Sequence, residues 1–553
     1  MDGSTRTASE RDRAAWALGG AEARAFVGRP TSRLADLVAS SLGPHGLETQ
    51  IETADAQDER EVVRTADAGT MLDAIERGGG LSHPVAALFV DAVDAMERAH
   101  GDGTTRATLL TAALVERGLG LVERGLAPTT VARGYAFATS RIGETYDALA
   151  EPCDPDDDAR LAAVARTAAT RLDSLPDDDV SAVAGAVSRL AADDALDTEY
   201  ATVIAARDAP AGIYRGVVAR RFATGTQAAE HVPTEFDPRP GITDPIEDAT
   251  VAIVDDELEF GESVAGGGDA VSVDGAAGAR RYAEERAAAR ADFADRLFEL
   301  GVDVLVSRPE VEADLAATLE SRGVAVVDEV ETPVEDVYRI ARATGADVVS
   351  HPDDVTAGAL GTAGSVVERR VGDECWAVFD DCDGPCVSLV ATADTEAGCD
   401  RAEAALETAV EAAATAVRDD QVLPGAGAAE MAAAASLREY APGIADREQL
   451  AVEAFADALE RVPEQLVRNA GGDPNAVLPA LRAAHDTGEP AAVGVAADGN
   501  GTRDAVAAGI LDPRRVPSEA VETARSLATQ LLTVDEVLHP GVDLAAVRPE
   551  TES

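Results

Sequence analysis

The run His100-Gly-Asp-Gly-Thr-Thr-Arg-Ala-Thr-Leu-Leu110 sets a carboxylate between two glycines, follows it with two hydroxyls and then turns apolar. Gly101 and Gly103 let a ligand come close to bare backbone. The free N–H groups at a helix start attract anions. Thr104 and Thr105 add hydroxyl donors for phosphate oxygens. Asp102 would repel a bare phosphate, so it fits only with a divalent cation between them. Oxygen ligands together with phosphates are the usual environment of Mg²⁺. Taken alone, GDGTT is equally a structural turn with a threonine cap. Three more small-residue stretches belong with it: SSLGPHGLE (40–48), TADAGTML (65–72) with a second lone acid at Asp67, and LPGAGAAE (423–430) opening another helical run.

The elements that must position these stretches are legible in the hydrophobic period. Residues 20 to 150 carry apolar residues at helical spacing, as in SHPVAALFVDAVDAMERAH and VARGYAFATSRIGETYDAL. From about 150 to 200 the chain is acidic and helical. Between about 200 and 385 short β-branched runs (ATVAIVDD, VDVLVSR, GVAVVDEV, ADVVSHP, CWAVFDD) alternate with helical segments such as RRYAEERAAARADFADRLFELG, the order of an α/β fold. SVAGGGDAVSVDGAAGARR (263–281) reads as a mobile excursion. After about 395 long helices return, so an α/β insertion splits one helical region whose halves reunite in space. The last residues, HPGVDLAAVRPETES, read as a frayed tail.

Composition bounds the function. The 553 residues exceed what one compact core holds. Acidic residues number 102 against 47 basic ones, for a net charge of −55. That surface repels nucleic acid and anionic membrane, so neither is expected as a partner. It suits a salt-rich cytoplasm in which screening is short-ranged. An acidic disordered chain is the rival, and the apolar periodicity opposes it. The five cysteines, Cys153, Cys375, Cys382, Cys386 and Cys399, form no CxxC pair, in keeping with reduced thiols in a cytosol. No lysine occurs anywhere. A Walker A loop, a protein kinase and a pyridoxal Schiff base are thereby excluded in standard form.

The order and spacing of these motifs resemble the group II chaperonins, the archaeal thermosome subunits and their eukaryotic cytosolic relatives. Leu42-Gly43-Pro44-His45-Gly46-Leu47 stands where the family has LGPKGM, Thr65 to Leu72 where it has TNDGATIL, and GDGTT is unaltered. REQLAVEAFADALERVP (447–463), NAGGDPNAVLPALRAAH (469–485), AAGILDPRRV (507–516) and LLTVDEVL (531–538) continue the match nearly to the end. The resemblance implies a multidomain chain. Residues 1–149 and 420–553 form an all-α equatorial domain that holds the nucleotide. Residues 150–216 and 384–419 form a small α/β intermediate domain. Residues 217–383 form an α/β apical domain with a helical lid protrusion near 255–300. It further implies double rings with other chaperonin subunits, unfolded client proteins, and ATP and Mg²⁺ as ligands.

Carried over by position, the resemblance implies that Gly43 and Pro44 line the phosphates, that Gly103, Thr104 and Thr105 contact phosphate oxygens, and that Asp102 holds Mg²⁺. Asp67 lies beside the γ-phosphate and helps to position the attacking water. Gly425 packs near the ribose, and Asp512 replaces a family glutamate near the nucleoside. Leu42, Gly46, Gly101 and Gly427 are implied as further nucleotide-binding positions.

Several positions depart from the family. Thr408 stands where the family has the aspartate that orients or deprotonates water, and a hydroxyl is no base at neutral pH; losing a general base slows hydrolysis by about 10²–10⁴-fold. Glu407 points about 100° away on the same helix. His45 replaces the loop lysine, Ala66 the asparagine before Asp67, Arg106 a third threonine and Ala426 a middle glycine. Arg171 is the nearest basic residue to the family's phosphate-sensing lysine, out of register. Arg106 faces either nucleotide or a neighbouring acid, the second being favoured. The chain therefore reads as a divergent halophilic paralogue. Two functions stand open: an ATP-driven chaperonin subunit with weakened hydrolysis, and a nucleotide-binding architectural subunit of a mixed ring. A monomeric α/β binding protein is the third reading.

Overall fold

A computed structural model describes residues 17–54, 60–78, 83–100, 102–169, 175–192, 196–221, 241–255, 258, 275–328, 333–372, 374–486 and 491–538. The chain forms two compact units, one of residues 1–174 and 411–553, the other of residues 175–410. The two ends of the sequence thus meet in one body, as the split helical pattern predicts. Both Gly101 and Arg171 lie outside the described residues, as do most of the excursion at 263–281 and the tail from 539. The end of that excursion, from Gly275, is already helical.

The first unit is a helical body. Thr104–Glu123, Pro128–Leu149, Glu448–Leu459 and Arg515–Leu532 are its central helices. Its core is aliphatic, with Leu110, Leu114, Val452, Leu459 and Leu531 buried around a few rings. Tyr135 meets Phe455 edge-on at 5.3 Å and donates to the Leu114 carbonyl at 2.7 Å. Few aromatics are needed because small residues let the helices close up. A Cβ on Gly134 would stand 2.5 Å from Ala451 Cβ and 2.8 Å from the Glu448 carbonyl, so glycine is what permits that crossing.

The wholly helical reading of residues 20–150 needs correcting. Thr49–Ala54 and Arg60–Thr65 form an antiparallel hairpin, with Ile51 opposite Val63. Each strand is six residues long, and its charged and threonine positions hide the two-residue alternation from a helical template. Further short strands pair over long range. Gln421–Pro424 runs between Leu511–Pro513 and Glu151–Pro152, and Ala17–Gly19 pairs with Glu536–Leu538. Two- to four-residue strands carry no period of their own, so only the folded chain discloses them.

In the second unit the β-branched runs become strands as expected. Ala325–Val327, Val304–Ser307 and Ile246–Val254 run parallel; Gly361–Val371, Glu374–Asp380 and Val217–Arg221 extend the sheet antiparallel. Val348–Val349 also pairs parallel with Ile246–Val254. Both faces are covered. Phe293 and Leu297 of helix Gly275–Glu299 pack with Leu315 and Leu319 of helix Ala313–Glu320 on one side. Val337 and Ile340 of helix Pro333–Thr344 pack on the other. That double burial is why the strands read as nearly continuous apolar runs. A separate three-stranded sheet joins Ala201–Ala205, Val387–Ala391 and Gly212–Tyr214.

All five cysteines are free thiols. Burial pushes Cys382 up to about 12 and Cys386 up to about 11, which keeps both as packing groups. Among the described residues no cluster of three His, Cys, Asp or Glu side chains could hold a metal, and no helix is long and apolar enough to cross a membrane.

Candidate functional site

The helix Thr104–Glu123 begins on a left-handed residue. Gly103 caps it at φ 90° and brings no side-chain acceptor. A Cβ there would collide with Met96 Cε and stand 3.0 Å from Val516 Cγ1, so the position needs glycine on two counts. The first-turn N–H groups are left to a ligand or to solvent. Asp102 accepts from the Gly103 N–H at 2.6 Å, which holds its carboxylate at the helix mouth. Thr104 and Thr105 are buried. Thr105 Oγ1 lies 3.3 Å from Ser41 Oγ, whereas Thr104 Oγ1 is enclosed without a hydrogen-bond partner.

Facing this helix mouth is the Leu42–His45 loop. It is a closed turn: Gly46 N–H donates to the Gly43 carbonyl at 2.9 Å and Leu47 N–H to Ser40 at 2.8 Å. Gly43 sits at φ 77°, and a Cβ on Gly46 would strike the Ser41 carbonyl. Asn469 fastens the loop from below, donating from Nδ2 to Ala39 at 2.9 Å and to Leu42 at 2.8 Å. His45 Nε2 is 2.6 Å from the Ala497 carbonyl.

The opposite wall is the Gly425-Ala426-Gly427 turn. Gly425 N–H donates to Ile510 at 2.9 Å, and Gly427 starts helix Ala428–Tyr440 at φ 77°. Ala426 is held left-handed at φ 54°, a strained value for a residue with a Cβ.

Between these walls lies a cavity of about 260 Å³. Leu42, Gly43, Pro44, Asp102, Gly103, Thr105 and Asp512 all line it, as do Arg106, Arg166 and Thr167. Val462, Leu466, Val495 and Ile510 give it an apolar side. A polar end with helix N–H donors beside an apolar slot suits a molecule that is anionic at one end and flat and apolar at the other.

Arg106 is the charged centre of one wall. Its Nη2 donates to Asp512 Oδ2 at 2.6 Å, and its Nε lies 3.1 Å from Glu430 Oε1 without the alignment of a hydrogen bond. The neighbouring-acid contact expected for this arginine is thus the one seen. Burial would lower its pKa, but the fields of Glu430, Asp512 and Asp102 prevail and hold it above its ordinary value. Burial pushes Glu430 upward; Asp512 adds to that and Arg106 opposes it. The buried Tyr146 hydroxyl feels the same three groups, is raised well above its usual value mainly by burial, and has no hydrogen-bond partner.

Other expected site residues stand elsewhere. Gly46, Thr104, Gly425 and Gly427 shape the cavity from behind its lining. Asp67 caps helix Ala68–Arg77, its Oδ2 accepting from Thr70 N at 2.8 Å and Thr70 Oγ1 at 3.2 Å, and it does not line the cavity. Thr408 belongs to the second unit, on helix Glu396–Asp419, where its hydroxyl donates back to the Ala404 carbonyl at 2.8 Å. On the same helix, burial and the charge of Glu403 raise the pKa of Glu407. His83 accepts from Val85 N at 3.2 Å and rests on Phe26, before the helix that starts at Pro84.

Sequence reasoning missed Arg166, Thr167, Asn469 and Glu430. Thr167 Oγ1 accepts from Leu511 N at 3.1 Å, tying helix Asp158–Ala169 to the cavity wall. Glu430 lay inside the quoted LPGAGAAE, and a lone acid three residues into an alanine-rich helix was the available signal.

Comparison with known proteins agrees with this architecture. The model of the TCP-1/cpn60 chaperonin family matches residues 34–541. A thermosome subunit of Methanopyrus kandleri is 30% identical over 93% of this chain and 92% of its own length. Thermosome subunit alpha of Halobacterium salinarum is 32% identical over 93% of this chain and 87% of its own. A crystal structure of a group III chaperonin in the open state superimposes with a TM-score of 0.75 at 23% identity, covering 93% of this chain and 98% of that one, a likeness of fold.

Proposed function

The chain belongs to the TCP-1/cpn60 chaperonin family, and from that premise we propose that it is a thermosome-like subunit of a double ring. In this reading it binds ATP with Mg²⁺ and takes part in ATP-dependent folding of unfolded proteins in the cytoplasm. The observation that carries the nucleotide part is the left-handed, uncapped start of helix Thr104–Glu123 beside Asp102, opening on a cavity with an apolar side. The domain division at 150, 217, 384 and 420 is part of the same proposal. The separate three-stranded sheet of residues 201–205, 212–214 and 387–391 supports the part of the intermediate domain that falls in the second unit.

Each residue has a share in binding. Gly103 exposes the helix N–H donors to the phosphates, and Gly43 and Pro44 bring loop backbone against them. Asp102 supplies one ligand to Mg²⁺. The bound Mg²⁺ supplies neutralisation of phosphate charge. Val462, Leu466 and Ile510 form the slot for the base. Asp67 is proposed to position water; its cap bonds fix the carboxylate by Oδ2.

Thr408 favours a second reading, an architectural subunit that holds nucleotide without turning it over. Its hydroxyl is engaged with its own helix and offers no base. Phosphate release measured in potassium-rich buffer decides between the two. Wild type is expected to turn over slowly, and Thr408→Asp to gain about 10²-fold or more if the acid is the missing group. Rings that retain ATP with no turnover in either protein would reject the hydrolytic reading.

A further inference from the structure

A cavity for a polyphosphate is at odds with a chain of net charge −55. Two carboxylates, Asp102 and Asp512, line this cavity, and a third, Glu430, is buried behind it. The arginine that answers them comes from the first turn of the helix whose open end faces the cavity. Arg106 reaches Asp512 on strand Leu511–Pro513 and Glu430 on helix Ala428–Tyr440 at once. It therefore ties three segments together, two of them more than three hundred residues from it in sequence. Its side chain is only 12% exposed, and those of Asp512 and Glu430 are 10% and 2% exposed, so solvent screens none of the three effectively. Without the guanidinium, both acids would face the cavity region unpaired, and an anionic ligand would meet their field in a low dielectric.

We propose that Arg106 is a positioning residue for nucleotide: it neutralises and holds Asp512 and Glu430, and so makes the cavity electrostatically open to a polyphosphate. The proposed role is charge balance and wall placement, exerted through Asp512 and Glu430 by a side chain that itself lines the cavity. This inference rests on the nucleotide reading given above.

The test is binding of ADP and ATP with Mg²⁺ to the full-length protein in molar KCl and at lower salt, alongside thermal unfolding. Arg106→Met is expected to weaken nucleotide binding at least ten-fold at both salt concentrations, because the field of two buried acids is little screened by salt. Arg106→Lys keeps the charge and is expected to stay within a few-fold of wild type, with a lower Tm because one ammonium serves two acids poorly. If Arg106→Met does not fold, the double variant Arg106→Met/Glu430→Gln removes the acid behind the cavity together with the arginine. It is expected to fold and to bind nucleotide within about ten-fold of wild type. A folded double variant that binds no nucleotide would overturn the proposal in favour of direct contact by Arg106. Unchanged affinity in folded Arg106→Met would also overturn it. Wild type that binds no nucleotide overturns the nucleotide reading and this inference together, whereas wild-type binding with an indifferent Arg106→Met sinks this inference alone.

Discussion

At the scale of single residues, Asp102 and Gly103 form one device. The glycine turns the chain left-handed, and that turn aims the aspartate and the helix N–H groups at the same cavity. Replacing the carboxylate keeps the turn, because an amide oxygen can still accept from Gly103 N–H. Asp102→Asn is therefore expected to fold with a Tm within about 2 °C of wild type. It is expected to lose the Mg²⁺-dependent part of nucleotide affinity, about ten-fold or more, because a hard cation prefers a charged oxygen. Titration calorimetry with and without Mg²⁺ checks this; equal affinities in the two proteins would remove Asp102 from the metal site. These two residues were legible in the sequence because glycine spacing and a lone acid are local signals. The Arg106–Asp512 bond was not, because 406 positions separate its ends and no local rule connects them.

Among elements, the helices Glu448–Leu459, Arg461–Asn469 and Pro474–His485 meet at Glu460. That buried carboxylate accepts from Arg482 Nε at 2.8 Å and pairs with Arg438 Nη1 at 2.8 Å. Burial alone would raise its pKa, but the hydrogen bonds from Arg482 and Arg438 outweigh that and hold it below 4.5. The sign follows. Its stabilisation is present above the unfolded value and is lost as pH falls through the lower folded one. Glu460→Gln is expected to cost about 1–2 kcal/mol at neutral pH, a discounted figure because both arginines are partly exposed. Its Tm should fall less steeply than that of wild type between about pH 5 and 3, as scanning calorimetry across that range would show; parallel slopes would refute the network's part in acid unfolding. The helices themselves were readable from apolar spacing, and the β-branched strands of the second unit from their length and bounding glycines. The Thr49–Ala54 and Arg60–Thr65 hairpin was not, since its strands are short and richly charged. Nor were the short strands around Gln421–Pro424, which exist only through partners far along the chain.

For the whole molecule, the dominant quantity is the excess of 102 acids over 47 bases. Many arginines are already committed to pairs, as at Arg290 with Glu312 and Arg322 with Asp295. The unpaired surplus is acidic and repels itself. Screening shortens from about 10 Å at 0.1 M salt to about 3 Å at 1 M. The Tm is therefore expected to rise by roughly 10 °C between 0.1 and 2 M KCl. Differential scanning in matched potassium and sodium chloride would check it, and a Tm independent of salt would remove the basis for reading the surface as salt-adapted.

One side chain in the second unit offers a way to watch these transitions. Of the chain's two tryptophans, Trp16 lies outside the described residues, and Trp376 is 1% exposed, its Nε1 donating to Glu374 at 2.8 Å while the Arg220 guanidinium lies 6.0 Å from its ring centre. With Trp16→Phe, indole fluorescence would come from a single emitter enclosed in that unit's core. Its red shift on denaturation would report the α/β body alone, and helical circular dichroism, weighted toward the other body, could be followed beside it as an independent clock.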